Sequence, residues 1–296
     1  MVEDRLLNWL EMAIAMSATD IHCHFQEQKS TLQLRTTTGL KELYTVKEDH
    51  EVYQLLKYKA NLNLSVAMIP QTGTFEYIVH NKVWYCRFSA METLNAKSGV
   101  LRILNLSPIQ NLEDLSYQSF ELDKIKEFVQ QDNGLILFSG ATGSGKSTTM
   151  FTALKEVKNR SIYSIEDPIE RIYDYLMQMQ VNLTSGFDFQ LAIKQLLRHD
   201  PDIIVIGEIR SPLEAQAAIR ACLSGHLVCA TIHSSSLKQT IYRLLDFNIS
   251  LNDLEILNLH LVFQKLIYLN NQRSAQFEVA NVSRALQIIE AIKKNT

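Results

Sequence analysis

The sequence predicts an α/β protein in which a domain built on a parallel sheet follows a smaller α+β domain, and three observations lead there. Its 296 residues, 46% hydrophobic and 21% charged, suffice for about two cores of roughly 100–200 residues each. Over 1–106, helix-period stretches mix with alternating ones, the pattern of an α+β domain. From 121 onward, continuous apolar runs alternate with amphipathic helical patterns, as parallel strands covered by helices on both faces do.

In chain order, "MVEDRLLNWLEMAIAMSATD" carries acids at its start and Leu6, Leu7, Leu10 and Ile14 at helical spacing, which predicts an amphipathic helix and not a signal peptide. "STLQLRT" and "FEYIVHNKVWYCRFSAM" read as strands, and "DHEVYQLLKYKANL" as a helix. The polar stretch "NLSPIQNLEDLSYQSF", interrupted by Pro108, places a linker at 107–120 between domains 1–106 and 121–296. In the second domain the expected strands are "GLILFSG", "SIYSIED", "DIIVIGE" and "LVCATIH", with helices at "KSTTMFTALKEVK" and "PLEAQAAIRACLSG".

Composition excludes several functions. The net charge is −3 with no long basic run, so no direct nucleic-acid contact is expected. Cys23, Cys86, Cys222 and Cys229 lack C-x-x-C spacing, which predicts reduced, buried thiols and no zinc. No apolar run approaches the ~18 residues a membrane-spanning helix needs.

The chemistry starts at "GATGSGKSTT". It fits G-x-x-x-x-G-K-[ST] after an apolar strand and before an amphipathic helix, the context of a phosphate-binding loop. Gly140, Ala141, Thr142, Gly143, Ser144, Gly145, Lys146, Ser147 and Thr148 form the nucleotide cradle. Lys146 reaches the β and γ phosphates, Ser147 ligates Mg²⁺, and the helix buries Met150, Ala153, Leu154 and Val157. "DIIVIGEIR" delivers Glu208 at a strand's carboxyl end; Gly207 stands where an Asp would hold Mg²⁺ through water, so Glu208 is expected to polarise the attacking water and to act on the metal only indirectly. "SIEDPIE" brings Glu166 to another strand tip, where it orients water or metal or serves an ordinary turn, while Asp167 fixes the loop. In "GHLVCATIHSSS", His226 precedes and His233 follows a strand, and His233 is placed to sense the γ phosphate.

These four segments, in this order, resemble the secretion and type IV pilus ATPases: "GATGSGKSTTM" their Walker A, "IEDPIE" their Asp box, "LLRHDPDIIVIGEIR" their Walker B and "LSGHLVCATIH" their His box. Further matches are "SATDIHCH", "PQTG", "YCRFSAMET" and "VLRILN", so the likeness runs over nearly the whole chain. The resemblance implies a RecA-like P-loop ATPase domain behind a PAS-like domain, in a hexameric ring that uses ATP and Mg²⁺. It also implies that arginines of the first domain, here Arg87 and Arg102, reach the nucleotide, and that Glu166, Glu208, His226 and His233 form the catalytic and sensing set. Ser211 stands where the family has Asp, "TIHSS" replaces "TLHTN", "RTTTG" replaces R-x-D-G, and "QKL" (264–266) replaces "QRL". With no zinc insertion and no long N-terminal extension, the sequence is similar to the compact competence ATPases of Gram-positive bacteria.

The leading expectation is therefore an ATP-driven motor for a competence pseudopilus or type IV pilus-like system in DNA uptake. It would work in the cytoplasm, attached peripherally to the inner face of the cell membrane through a platform protein. Motors with other cargo, a RecA-like nucleic-acid translocase and an ATP-binding regulator without turnover are the alternatives.

Overall fold

A computed structural model describes residues 2–26, 30–36, 39–43, 49–65, 68–105, 111–182, 186–269 and 272–294. Two compact units divide the chain: Met1–Pro108 with Glu170–Ile172, and Ile109–Ile169 with Tyr173–Thr296.

The first unit contains helix α1 (Val2–Ala15), strands β1 (Asp20–Gln26), β2 (Ser30–Thr36) and β3 (Gly39–Leu43), helix α2 (Asp49–Lys59), and strands β4 (Gln71–Val79), β5 (Lys82–Glu92) and β6 (Ala96–Ile103). The strands form an antiparallel sheet in the order β3-β2-β1-β6-β5-β4. Alternation decides its faces: Ile21, Cys23 and Phe25 of β1 point into a core shared with Leu6, Trp9 and Leu10 of α1 and Val52, Tyr53 and Leu56 of α2. The stretch 75–91 is two strands, because His80 and Asn81 adopt φ of 50° and 59° and turn the chain in two residues. Lys57, 2% exposed, is buried beside this core with its charge paired to Glu92 at 2.7 Å. Part of "RTTTG" lies outside the described residues.

The second unit begins with a short 3-10 turn (Leu112–Leu115) and helix α3 (Ser119–Val129). The sequence break at Pro108 lies outside the described residues, but Leu112 and Leu122 are core residues here, so the segment after Asn111 packs within this unit. Then follow β7 (Gly134–Gly140), α4 (Lys146–Leu154), β8 (Ile162–Glu166), β9 (Met177–Gln180), α5 (Phe189–Leu196), β10 (Ile203–Ile209), α6 (Pro212–Leu223) and β11 (Leu227–His233). The unit closes with α7 (Leu237–Asp246), α8 (Leu251–Glu255), β12 (Leu259–Leu269), β13 (Gln272–Ala280) and α9 (Val282–Lys293). The seven-stranded sheet runs β13-β12-β7-β11-β10-β8-β9, parallel except for β13 at one edge.

Both faces of this sheet are buried, which is why its strands read as uninterrupted apolar runs. Leu135, Leu137, Ile204, Ile206, Val228 and Ala230 pack against α5, α6, α7 and α9. Their alternates Ile136, Phe138, Ile203, Val205, Leu227 and Cys229 pack against α3 and α4. Edge strand β13 is capped by the Gln118 amide, which accepts from Phe277 N at 2.6 Å and donates to its carbonyl at 3.4 Å, as a neighbouring strand would. Helix α4 stops at Leu154, so Val157 is buried from the turn after it. All four cysteines are free and buried, and burial pushes the Cys86 and Cys229 thiols up to about 12.

His260 of β12 lies under α3 with its ring 4.1 Å from that of Phe128, and burial pushes its pKa down to about 4. The folded state therefore holds it neutral where the unfolded chain, titrating near ~6.5, binds a proton. Its contribution is complete above that value and is lost as pH falls toward 4, an effect on the order of 3 kcal/mol. Thermal melting at pH 7.5 and pH 5 should show a fall that His260→Leu abolishes; an equal fall in the variant would assign the acid sensitivity elsewhere.

Candidate functional site

The carboxyl ends of β7, β8, β10 and β11 converge, and each carries one of the polar segments of interest. β7 ends at Gly140 and the chain turns through Gly143 (φ 75°) and Gly145 (φ 89°) into α4 at Lys146. Those positive φ values need glycine, and the first-turn N–H groups of α4 have no intrahelical acceptor, so the loop is a ready anion cradle. Ala141, Thr142, Gly143 and Ser147 are exposed, Thr148 is half-buried, and Ser144 and Lys146 are buried. Lys146 is held from below, with Nζ 2.9 Å from Ala141 O and 3.4 Å from His233 Nδ1. Burial lowers its pKa, and nearby Glu208 works against that shift.

β11 pairs with β7 so that His233 faces Gly140 across the ladder. The His233 ring then spans two partners, Lys146 on Nδ1 and the Glu208 carboxylate on Nε2. The lysine assigns the tautomer: Nδ1, facing an ammonium, accepts, so Nε2 carries the ring proton beside Glu208 Oε1, in ion-pair contact but out of hydrogen-bond alignment. Glu208 Oε2 accepts from Arg210 Nε at 2.5 Å, and Arg210 Nη1 donates to Asp167 O at 3.3 Å. Lys146, His233, Glu208, Arg210 and the Asp167 loop therefore form one continuous polar chain across the ends of β7, β11, β10 and β8.

A bulge aims Glu208. Between Ile206 and Ile209 the register of β10 against β11 shifts by one residue, and Thr231 Oγ1 donates to the Gly207 carbonyl at 2.6 Å. A Cβ on Gly207 would lie 3.1 Å from Glu166 Cγ, so a larger residue there would make Glu166 give by a few tenths of an ångström. Glu166, 6% exposed, accepts from Ser164 Oγ at 2.7 Å and from Gln178 Nε2 at 2.9 Å. Ser211 is the N-cap of α6: its backbone N–H donates to Glu214 at 2.6 Å in a capping box, a place where Ser and Asp serve alike.

His226 is not brought to this cluster. It precedes β11, at the opposite end of a seven-residue strand and roughly 20 Å from the loop, with Nδ1 3.1 Å from Ala221 O at the end of α6. Flanking a strand on either side is not the same as sharing a site. In the first unit Arg87 and Arg102 do stand together, directly opposite on β5 and β6. Burial, and then the facing Arg102, lower the Arg87 pKa. Asp20, opposite Arg102 on β1, accepts from Arg102 Nε at 2.7 Å. Burial alone would raise the Asp20 pKa, but the bonds from Arg102 and Thr19 hold it below its ordinary value.

Two residues in contact with the site have no assigned role in the sequence pattern. Arg210 follows the acid of its motif and shows no periodicity. Gln264 of β12 lies 120 positions beyond the loop it touches. The donor set suits Mg²⁺: an exposed Ser147 hydroxyl at the helix start, with carboxylates at neighbouring strand tips, offers hard oxygens. Among the described residues no group of three or more His, Cys, Asp or Glu could hold a metal ion.

Comparison with known proteins agrees with this geometry. The family described as type II/IV secretion system protein matches residues 1–293. The competence protein ComGA of Bacillus subtilis (strain 168) is 32% identical over 265 residues, 88% of this chain and 74% of that one. The type IV pilus assembly ATPase PilB of Thermus thermophilus is 34% identical over 84% of this chain, which spans 29% of the longer relative. The crystal structure of the pilus retraction motor PilT with bound ADP superposes with a TM-score of 0.74 at 25% identity, covering 98% of this chain and 87% of that one.

Proposed function

The chain belongs to the type II/IV secretion system protein family, and from that premise we propose that it is a Mg-dependent ATPase motor powering a competence pseudopilus or type IV pilus-like system for DNA uptake. The observation that carries the reading is the polar chain joining Lys146, His233, Glu208 and Arg210 beside a P-loop.

In this reading the loop 140–148 wraps the phosphates with its N–H groups, and the Lys146 ammonium leaves Ala141 O and His233 to neutralise the β and γ oxygens. That departure frees the His233 ring to sense whether a γ phosphate is present. Glu208, aimed by its bulge and held through Oε2 by Arg210, orients the attacking water, and Glu166 fixes the adjoining strand tip. Bound Mg²⁺, held by Ser147 and only indirectly by Glu208, would offset charge on the β and γ oxygens. Arg87 and Arg102 supply guanidinium charge to the transferred phosphoryl group.

The unit is proposed to work as a hexameric ring with a PAS-like first unit, in the cytoplasm, attached peripherally at the inner face of the cell membrane through a platform protein. Identity is alike for relatives with other cargo, 32% to ComGA and 34% to PilB, and it is the shared length, 74% of that ComGA against 29% of that PilB, that supports DNA uptake. The test is DNA uptake by the native host carrying Lys146→Ala at matched protein level. Lost uptake with ordinary growth supports the competence motor; unchanged uptake removes that role in favour of a pilus or secretion motor.

A further inference from the structure

We infer that Gln264 is a positioning residue of the nucleotide site, its buried side-chain amide fixing the shape of the phosphate loop. The inference rests on reading 140–148 as that site, and goes beyond it by naming what holds the loop in shape.

β12 runs parallel to β7 up to the pair Phe263–Ser139, and Gln264 is the next residue, 2% exposed, where β7 gives way to the loop. Its Nε2 donates to the Ser144 carbonyl at 2.7 Å, and its Oε1 accepts from Thr149 Oγ1 in α4 at 2.8 Å. The main chain of the same residue crowds the loop's start: a Cβ on Gly140 would lie 2.2 Å from Gln264 O. A Cβ on Gly145 would lie 2.9 Å from its Nε2. Gly140 is thus required by the approach of the β12 backbone as well as by its own φ, whereas a Cβ on Gly145 would push the Gln264 amide aside.

The geometric consequence follows from the planar trans peptide. Its C=O and N–H point in opposite directions, so anchoring the Ser144 carbonyl on Gln264 aims the Gly145 N–H away from β12. That N–H belongs to the set a phosphate would bind. At the same time Thr149 ties the first turns of α4 to the same amide, so the loop and the helix start are held at one distance from each other. The amide does both jobs at once, since it donates through nitrogen and accepts through oxygen. An ionised carboxylate could not donate to Ser144, and an ammonium could not accept from Thr149.

The test measures ADP binding by calorimetry for the full chain, Gln264→Glu and Thr149→Val, alongside thermal melting without nucleotide and the KM and kcat for ATP. Gln264→Glu should weaken ADP binding by about tenfold or more, from a lost bond and a charge facing a carbonyl. Thr149→Val changes no charge and should weaken it about three- to fivefold, which separates loop geometry from electrostatics. In both, KM should rise more than kcat falls. ADP affinity within about twofold of the unaltered chain in Thr149→Val, at a temperature where it is folded, overturns the inference even if Gln264→Glu fails to fold. An unaltered chain that binds no ADP removes the nucleotide-site reading itself, a result distinct from equal binding by all three.

Discussion

Lys146→Ala is expected to reduce ATP hydrolysis by roughly 10²–10³-fold while leaving the fold intact. The ammonium is a point charge that can reach two phosphates, and charge-assisted hydrogen bonds are each worth about 1.5–3 kcal/mol, so losing two near the lower end of that range accounts for the fall. Stability should move little, because the charge is buried, with burial lowering its pKa, and its partners Ala141 O and His233 sit beside the exposed edge of the loop. Phosphate release measured with the melting temperature checks both halves. A variant that melts normally and hydrolyses at the unaltered rate would remove Lys146 from the chemistry, and with it the reading of residues 140–148 as the phosphate cradle.

Much of this arrangement was legible in the sequence because of how parallel sheets are buried. Strands covered on both faces must be apolar at every position, so β7, β10 and β11 stood out as runs, and the polar residue ending each run marked the carboxyl edge of the sheet. His233 was found that way. His226 entered the set only through the family resemblance, and the direction of β11 relative to the loop puts it at the far end of the strand. Other features leave no local trace. β3, "GLKEL", is exposed along most of its length and carries no alternation. The bulge at Glu208 was marked only by Gly207 inside a strand. Gln264 meets the loop through chain distant in sequence, and no spacing rule connects a side chain in β12 with a carbonyl 120 positions earlier.

The polar chain also sets what Glu208→Gln must do. The substitution keeps size and shape, so ATP affinity should stay within about threefold while phosphate release falls by roughly 10²–10³-fold. The carboxylate now accepts from Arg210 on Oε2, while Oε1 lies in ion-pair contact with His233 Nε2. An amide can accept on one side only. If its oxygen keeps Arg210, its nitrogen faces His233 Nε2, and the ring must take the other tautomer and turn an N–H toward the Lys146 ammonium. If it keeps His233, its nitrogen meets the guanidinium. Either way the group loses the negative charge that polarises water, and its orientation becomes a compromise between two donors. Labelled-ATP binding and phosphate release on the same preparation separate these effects. Hydrolysis at the unaltered rate would strip Glu208 of the water-polarising role and leave Glu166, held by Ser164 and Gln178, as the acid to test next.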